Sequence, residues 1–276
     1  MNKRQRFTAL MIVAALTLCA LLSGCGGAGA GSSAAAAASA GSAAGGAAAS
    51  ASVSASAPDA SALAEQADDQ AADREAEAYN LLNGLEGTYE ELWPVITQEK
   101  YDNVWLQACA DVVGEDQAAE TARMLKGSCA GDKIGQDAVD AYQDPESGLF
   151  DCEFTGGVDR LTFAGNTISG ADEKGKQVFS HSYQYVGYQE DLGFYQFQSE
   201  DKDAGAFTYF AIFPDTPGST YHIELRYGDD LNALSELTTG KYAYWMAAGI
   251  LEDSSDGMAE SAIKLFCTEN LSEATE

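Results

Sequence analysis

The sequence predicts an α+β fold that is mainly β, in which an antiparallel meander of strands closes into a small barrel with N-terminal and C-terminal helices. Two observations lead to this prediction. Short runs of alternating apolar residues recur at regular intervals over residues 149–227, separated by turns rich in Gly, Asp and Asn. Helical periodicity precedes and follows these runs. A meander that closes on itself leaves no exposed strand edge, so a barrel is the expected architecture.

The N-terminus has the organisation of an export signal. Basic residues lie within the first six positions, an apolar run covers residues 7–22, and Leu-Ser-Gly leads to Cys25. The run ending at Cys25 resembles the lipobox of bacterial lipoproteins, a family in which the peptide is cut before a Cys that then carries a diacylglycerol. The resemblance implies a signal peptide over residues 1–24 and lipidation of Cys25. A transmembrane anchor is the alternative, but this run is shorter than the ~20 residues that a spanning helix needs.

Residues 25–80 are predicted to tether the lipid to the folded part. They are almost entirely Ala, Gly and Ser up to residue 64, a composition that cannot form a packed core. Residues 65–79 are predicted to form a short helix that leads into the domain. The folded domain is predicted to span residues 81–276. The protein is therefore expected in the cell envelope, lipid-anchored to the membrane on its extracytoplasmic side.

The charge is strongly acidic, with 43 Asp and Glu against 15 Lys and Arg and a formal net charge of −28. Phosphate contacts need a basic surface, so nucleic acid is not an expected partner. The same charge argues against a domain that lies flat on anionic lipid. It is compatible with plain solubility or with a raised local concentration of cations.

The regular elements are predicted from periodicity. The first half, from Leu85 through the run Leu-Trp-Pro-Val that ends at Val95, is read as helical. The helices with apolar three-and-four spacing are predicted at 98–113, 115–126, 231–237, 242–251 and 258–266, with one further turn at 138–142. The strands are predicted at 149–154, 158–163, 178–186, 194–199, 207–213 and 220–227. The strand aromatics are expected either to form the core or to line a ligand cavity.

Cys19 lies in the predicted signal peptide, and four further cysteines remain besides the lipidated one. Outside the cytoplasm an even number predicts disulfides, with three possible connectivities. The preferred pairing is Cys109 with Cys129 and Cys152 with Cys267. No Cys-x-x-Cys occurs, so a thiolate zinc site or a redox motif is not expected.

A metal site is predicted around one of the two histidines. His222 and Glu224 are two residues apart in a predicted strand, so both point to one face and can share a divalent ion inside the cup of sheet. Asp215, in the preceding turn, is the candidate third ligand, and His181 on another strand is the fourth. The alternative is an amphipathic strand with a polar outward face, and His181 is alternatively an exposed strand histidine.

The order of helical start, meander, His-containing strand and final helices resembles the ZinT family over about residues 81–251, without long identities. Its members are bacterial extracytoplasmic zinc-binding proteins with a lipocalin-like (calycin) barrel, also found fused to zinc-transporter binding proteins. The run Leu-Glu-Gly-Thr-Tyr-Glu-Glu-Leu-Trp-Pro that ends at Pro94 is similar to the family's opening, and Tyr-Asp-Asn-Val-Trp that ends at Trp105 resembles its next helix.

The family's metal signature is a His in one strand, then a turn with Pro, then His-x-His followed by Gly. Matching Pro217 and Gly228 to that signature places His222 and Glu224 on the His-x-His pair and Phe213 on the first His. One ligand is then kept, one is exchanged for a carboxylate, and one is lost. The His-rich loop of the family is absent.

The resemblance implies a membrane-tethered metal-binding lipoprotein that buffers or takes up a zinc ion or another divalent cation, with a metal ABC importer as a possible partner. The alternative is a calycin-like lipoprotein that has lost the metal site and binds a small ligand or another protein. Catalysis is not expected, because no Gly-x-Ser-x-Gly elbow is present.

Overall fold

The structure is a computed structural model that describes residues 60–129 and 150–272, with side chains described from residue 70. The helices are α1 (Ala60–Gly84), α2 (Leu92–Ile96), α3 (Asp102–Val113), α4 (Glu115–Ser128), α5 (Leu231–Leu234) and α6 (Asp256–Leu271). The strands are β1 (Gly87–Glu91), β2 (Arg160–Ala164), β3 (Thr167–Ala171), β4 (Gln177–Gln189), β5 (Phe194–Ser199), β6 (Tyr209–Ile212), β7 (Ile223–Gly228) and β8 (Ala247–Leu251). The predicted signal peptide, Cys25 and the predicted turn at 138–142 lie outside the described residues.

The eight strands form a closed antiparallel barrel in which each strand pairs with the next along the chain. The barrel closes where β1 pairs with β8, with Tyr89 opposite Leu251. The predicted meander and its closure are confirmed, as are helices before and after it. Closure pairs both edges of the sheet, so no strand of the barrel is left with unpaired backbone groups along a free edge.

The two faces of the barrel wall carry two separate apolar clusters. On β7, Ile223, Leu225 and Tyr227 belong to the cluster that fills the barrel. On β8, Ala248 and Ile250 belong to the cluster on the outer face, which packs under the helices. This division follows from the two-residue alternation of side chains along a strand. We call these the interior cluster and the outer cluster.

Aromatic rings fill the interior. Tyr183 and Phe197, predicted as either core or cavity lining, are fully buried core residues. Tyr183 packs edge-on against Phe210 at 5.1 Å, and Phe210 stacks on Tyr227 at 5.0 Å between ring centroids. Such ring pairs stabilise the barrel beyond their buried area. The interior packing therefore indicates that these aromatic residues form the core rather than line a ligand cavity.

Three helices cover the outer face around a trio of aromatic rings. Trp93 of α2 lies 4.9 Å from Phe266 of α6, and Trp105 of α3 lies 6.0 Å from both rings. Each indole N–H donates to a main-chain carbonyl, Trp93 to Lys126 and Trp105 to Ile96. The buried indoles are thus satisfied, and they fix α2, α3 and α6 against one wall of the barrel.

Helix α1 contributes to the interior cluster from outside the predicted domain boundary at residue 81. Ala78 is fully buried, and Leu82 and Leu85 follow on the same buried face. The predicted helix at 65–79 is confirmed and is longer than expected. Within the part of the chain that the structure describes, no helix combines the length and the apolarity needed to cross a membrane.

Several predicted elements are wrong. The end of the predicted helix at 242–251 forms strand β8 instead. The prediction failed because this Ala-rich run is buried on both faces and lacks the alternation of apolar and polar residues that identifies a strand. The segment 87–91, predicted as helical, is β1. Of the predicted strand at 149–154, the described residues 150–154 make one isolated bridge, between Asp151 and Trp245.

The preferred cysteine pairing is also wrong. The four cysteines among the described residues, Cys109, Cys129, Cys152 and Cys267, are all buried. Sγ of Cys109 lies 3.7 Å from Sγ of Cys267, while Cys129 is the neighbour of Cys152. The reason is that α3 packs along α6, a contact between distant segments that the spacing of cysteines does not reveal.

Candidate metal centre

Three polar side chains converge where the chain enters β7. Asp215 lies in the loop after β6, His222 directly precedes β7, and Glu224 is its second residue. One ligand atom from each lies within 4.8 Å of the others. The spacing of two between His222 and Glu224 directs both to one side, as predicted. The structure therefore brings together three of the four candidate ligands.

The site lies on the outer face of the barrel wall. Ile223, between the two ligands, points into the interior cluster, so His222 and Glu224 point the other way. Glu224 is paired with Ala248, a member of the outer cluster. The expected location inside the cup of sheet is therefore corrected to the space between the barrel wall and the helices.

The imidazole of His222 is held by the loop that carries it. Its Nδ1 hydrogen-bonds the carbonyl oxygen of Thr220 at 2.6 Å, which requires a proton on Nδ1. Nε2 then faces Oε1 of Glu224 at 3.6 Å. A backbone carbonyl on one ring nitrogen, with the other directed at further ligands, is the usual arrangement of a metal-binding histidine.

The loop backbone is strained at the residue before this histidine. Tyr221 has a φ of 65°, a left-handed conformation that is uncommon for a non-glycine residue. The Thr220 hydroxyl donates within this turn, to the carbonyls of Thr216 and His222. Strain of this kind persists only where surrounding contacts enforce it, and it often accompanies functional sites. Here it orients His222 towards Glu224.

The carboxylates around His222 govern its protonation. Burial by itself lowers the pKa of His222, because the interior disfavours the imidazolium. The hydrogen bond and charge of Glu224, with the charge of Asp215 and the Thr220 carbonyl, outweigh burial and raise the pKa to about 9. Without a bound cation the imidazole therefore carries a proton at pH 7. A divalent cation bound at this position would displace that proton and would itself supply the positive charge between the carboxylates.

We expect this ion pair to make the metal-free protein lose stability as the pH rises from about 6.5 to about 9. The folded-state pKa of about 9 lies above the ordinary value of 6.5, so the contribution is complete below pH 6.5 and disappears above pH 9. It amounts to about 3 kcal/mol at most. Urea unfolding of the wild type and of His222→Gln across this range measures it. A stability difference between the two that stays constant with pH would contradict the ion pair, and His181→Gln is the control.

A small cavity adjoins the site. Its volume is about 20 Å³, enough for about one water molecule. The imidazole of His222 and the carboxylate of Glu224 form its polar side. Its other walls come from the helices, from β8 and from the segment before β2, namely Leu92, Trp93, Cys129, Phe150, Cys152, Met246, Ala248 and Phe266. His222 and Glu224 therefore face a space about the size of one water molecule or one ion.

His181 does not join the cluster. It lies on β4, which is separated from β7 around the barrel by β5 and β6. Its Nδ1 is 3.3 Å from Oδ2 of Asp201, and its ring stacks 5.8 Å from that of Phe179. These contacts give the side chain a local role at a position remote from His222.

Phe213 lies beside the cluster. Its amide donates to the carbonyl of Glu224 at 2.9 Å, which continues the β6–β7 ladder by one residue. Residues directly opposite in a ladder point to the same face, so position 213 flanks the carboxylate of Glu224. The Phe213 ring packs edge-on against Phe194 at 5.9 Å. The position matched to the family's first histidine is thus a packed aromatic next to the site.

Sequence reasoning missed the two thiols in the cavity wall. Cys129 ends α4 and Cys152 precedes β2, on either side of residues 130–149. They had been assigned to separate disulfides. Nothing in their spacing indicated that they meet, because the contact depends on how the end of α4 meets the segment before β2.

Comparisons with known proteins give matches among solved structures but not among family models or curated proteins. No protein-family model matches the chain, and no curated protein matches its sequence. Among solved structures, the chain is similar to the Zn(II)-bound ZinT-like domain of Streptococcus pneumoniae AdcA, with 17% identity and a TM-score of 0.42 over 67% of this chain and 89% of that one. It is also similar to Zn(II)-bound AdcA from the same organism, with 16% identity and a TM-score of 0.40, and it spans 35% of that protein. The first of these structures carries in its description the name of the family that the sequence resembles.

Proposed function

We propose that this chain binds a divalent transition-metal ion through Asp215, His222 and Glu224. The observation that carries the proposal is the convergence of ligand atoms from these three side chains within 4.8 Å, with His222 and Glu224 at the edge of a small cavity. The carbonyl of Thr220 orients the imidazole for this purpose. A buried histidine held between two carboxylates is costly unless a positive charge lies there, whether a proton or a metal ion.

Zinc is the first ion to test. It takes His nitrogen and carboxylate oxygen, with four ligands in most sites, so three protein ligands and one water complete its shell. Manganese is the second choice, because two of the three donors are hard oxygens. Calcium requires six to eight oxygens and suits this set less well. Zn(II) is also the ion bound in both similar structures.

We infer binding rather than catalysis as the role of the site. A cavity of about 20 Å³ admits about one ion or one water molecule, whereas an enzyme must admit a substrate. The proposed place of action is the extracytoplasmic side of a membrane, with Cys25 as the lipid anchor and a metal importer as the partner.

Cys25→Ala should move the protein from the membrane fraction to the soluble fraction. Continued membrane association would count against the anchor.

Replacing His222 by Ala should weaken zinc binding by roughly 100-fold or more, because it removes the nitrogen ligand and leaves two carboxylates in the site. Titration calorimetry with zinc on the metal-free protein measures the effect. His181→Ala is the matched control, since it removes the other histidine, which lies outside the cluster.

The proposed site is wrong if His222→Ala binds zinc like the wild type while remaining folded. It is also wrong if His181→Ala causes the larger loss. Weak binding of several zinc ions, unchanged in both variants, would indicate adsorption to the acidic surface instead of one site.

A further inference from the structure

The four buried cysteines fall into two neighbouring pairs, and both pairs join segments that are distant in sequence. Cys109 and Cys267 are fully buried, with their sulfur atoms 3.7 Å apart between α3 and α6. Cys129 and Cys152 both line the cavity beside His222. Every described cysteine therefore has another cysteine as its neighbour.

The second pair is held together by the surrounding backbone. The amide of Phe150 donates to the carbonyl of Ser128 at 3.2 Å, which joins the residues next to the two cysteines. The amide of Ala248 donates to the carbonyl of Cys152 at 3.3 Å, which fixes Cys152 against β8. The thiols of Cys129 and Cys152 are hydrogen-bonded to each other, and this bond, together with burial, raises the pKa of Cys152.

We propose that these cysteines form two disulfide bonds, Cys109–Cys267 between α3 and α6 and Cys129–Cys152 in the wall of the metal cavity. The inference rests on the extracytoplasmic location proposed above, where such bonds persist, and does not depend on metal binding. Buried thiols react slowly once the fold is complete, so the bonds form while the chain folds.

The oxidant is a disulfide, either that of a dithiol oxidase or glutathione disulfide. One cysteine thiolate attacks it, forming a mixed disulfide and releasing one thiol of the oxidant. The second cysteine thiolate then attacks the mixed disulfide, which forms the intramolecular S–S bond and releases the other thiol. For each bond, the protein loses two protons and two electrons, and the disulfide of the oxidant is reduced.

The two bonds have different consequences. Cys109–Cys267 ties the last helix to α3, so it stabilises the helical layer that covers the site. Cys129–Cys152 removes two soft sulfur donors from the wall of the cavity. The site then presents only Asp215, His222 and Glu224 to a metal ion, whereas the reduced protein also offers thiolates to a soft ion such as cadmium.

Trypsin separates the candidate partners. Cleavage after Lys and Arg places Cys109 in peptide 101–123, Cys129 in 127–133, Cys152 in 134–160 and Cys267 in 265–276. Cys19 and Cys25 fall in a peptide of their own, 7–74. The full chain, unfolded and refolded with reduced and oxidised glutathione and a metal chelator, is alkylated, digested without reductant and analysed by mass spectrometry.

We expect nearly all of peptide 101–123 to be linked to 265–276, and nearly all of 127–133 to 134–160. Alkylation of Cys109, Cys129, Cys152 and Cys267 in the refolded protein, or linkage of 101–123 to 127–133, would overturn the proposal. Because the chelator keeps metal out, this result does not depend on the proposed function. In the variant Cys109→Ser with Cys267→Ser, the link between 127–133 and 134–160 should remain, and its loss would show that the second pair is not independent.

Discussion

Replacing Arg226 by Ala is expected to lower the free energy of unfolding by about 3–5 kcal/mol, because its guanidinium is buried and organises a long connection. Arg226 is fully buried on β7. Its nitrogens donate to the main-chain carbonyls of Trp245, Leu234, Glu236 and Tyr242. These residues belong to the segment between β7 and β8. Truncation would remove the Arg226 donors from all four carbonyls, of which, among the described residues, only that of Tyr242 keeps a main-chain donor, the amide of Trp245.

The charge of Arg226 persists despite burial. Removal from water lowers its pKa to about 10, which is still above physiological pH. Among the described residues its hydrogen-bond partners are main-chain oxygens, so its effect is to fix the backbone. Arg226→Lys should cost less than Arg226→Ala but still about 2 kcal/mol, because a single ammonium cannot reach all four carbonyls.

Urea unfolding of Arg226→Ala and of Arg123→Ala tests this account. Arg123 is the matched control, since its side chain is 57% exposed and pairs with Glu120 on the same helix. Its loss should change stability by about 0.5 kcal/mol or less. A loss below about 1 kcal/mol for Arg226→Ala would show that water or a rearranged connection satisfies the carbonyls.

The meander was predictable because its strands alternate. Runs such as Phe194–Ser199 and Ile223–Gly228 place every second residue in the interior cluster, and Gly-containing turns separate them. The last strand was not predictable by the same rule. In Ala247–Leu251 both faces are covered, so small apolar residues follow one another without a polar partner and are typical of a buried helix as well.

In the candidate site, contacts between residues close in sequence were predictable, whereas contacts between distant segments were not. Asp215, His222 and Glu224 lie within ten residues of one another, so strand geometry and one loop suffice to bring them together. Whether His181 reaches them depends on the number of strands between β4 and β7, which only the closed barrel specifies. The cysteine pairs depend on helix docking for the same reason.

The face of the barrel on which the site lies was predictable but was misassigned. The residues that alternate with His222 and Glu224 are Ile223, Leu225 and Tyr227, the most apolar side of the strand. In a barrel too small to enclose water, that apolar side must point inward. The imidazole and carboxylate therefore had to face outward, where only a covering layer of helices can bury them.

Replacing Phe213 by His should strengthen zinc binding by roughly 10- to 100-fold, because it adds a second imidazole beside the first three ligands. Position 213 is opposite Glu224 in the β6–β7 ladder, where opposed Cα atoms lie about 5 Å apart. A histidine there reaches the same outer face as His222. The variant loses the ring contact with Phe194, so its unfolding midpoint should fall somewhat even as its affinity for zinc rises.

The comparison with Phe213→Gln decides whether the added nitrogen or the lost ring causes the change. Gln also removes the packing against Phe194 but supplies a much poorer zinc ligand, so its affinity should stay at or below that of the wild type. Phe213→His combined with His222→Ala should bind zinc more weakly than Phe213→His alone, since the two imidazoles are expected to share one ion. If Phe213→His folds yet binds zinc no better than Phe213→Gln, the ion does not lie next to Glu224. Equal affinity of the double and single variants would place the new imidazole at a different site.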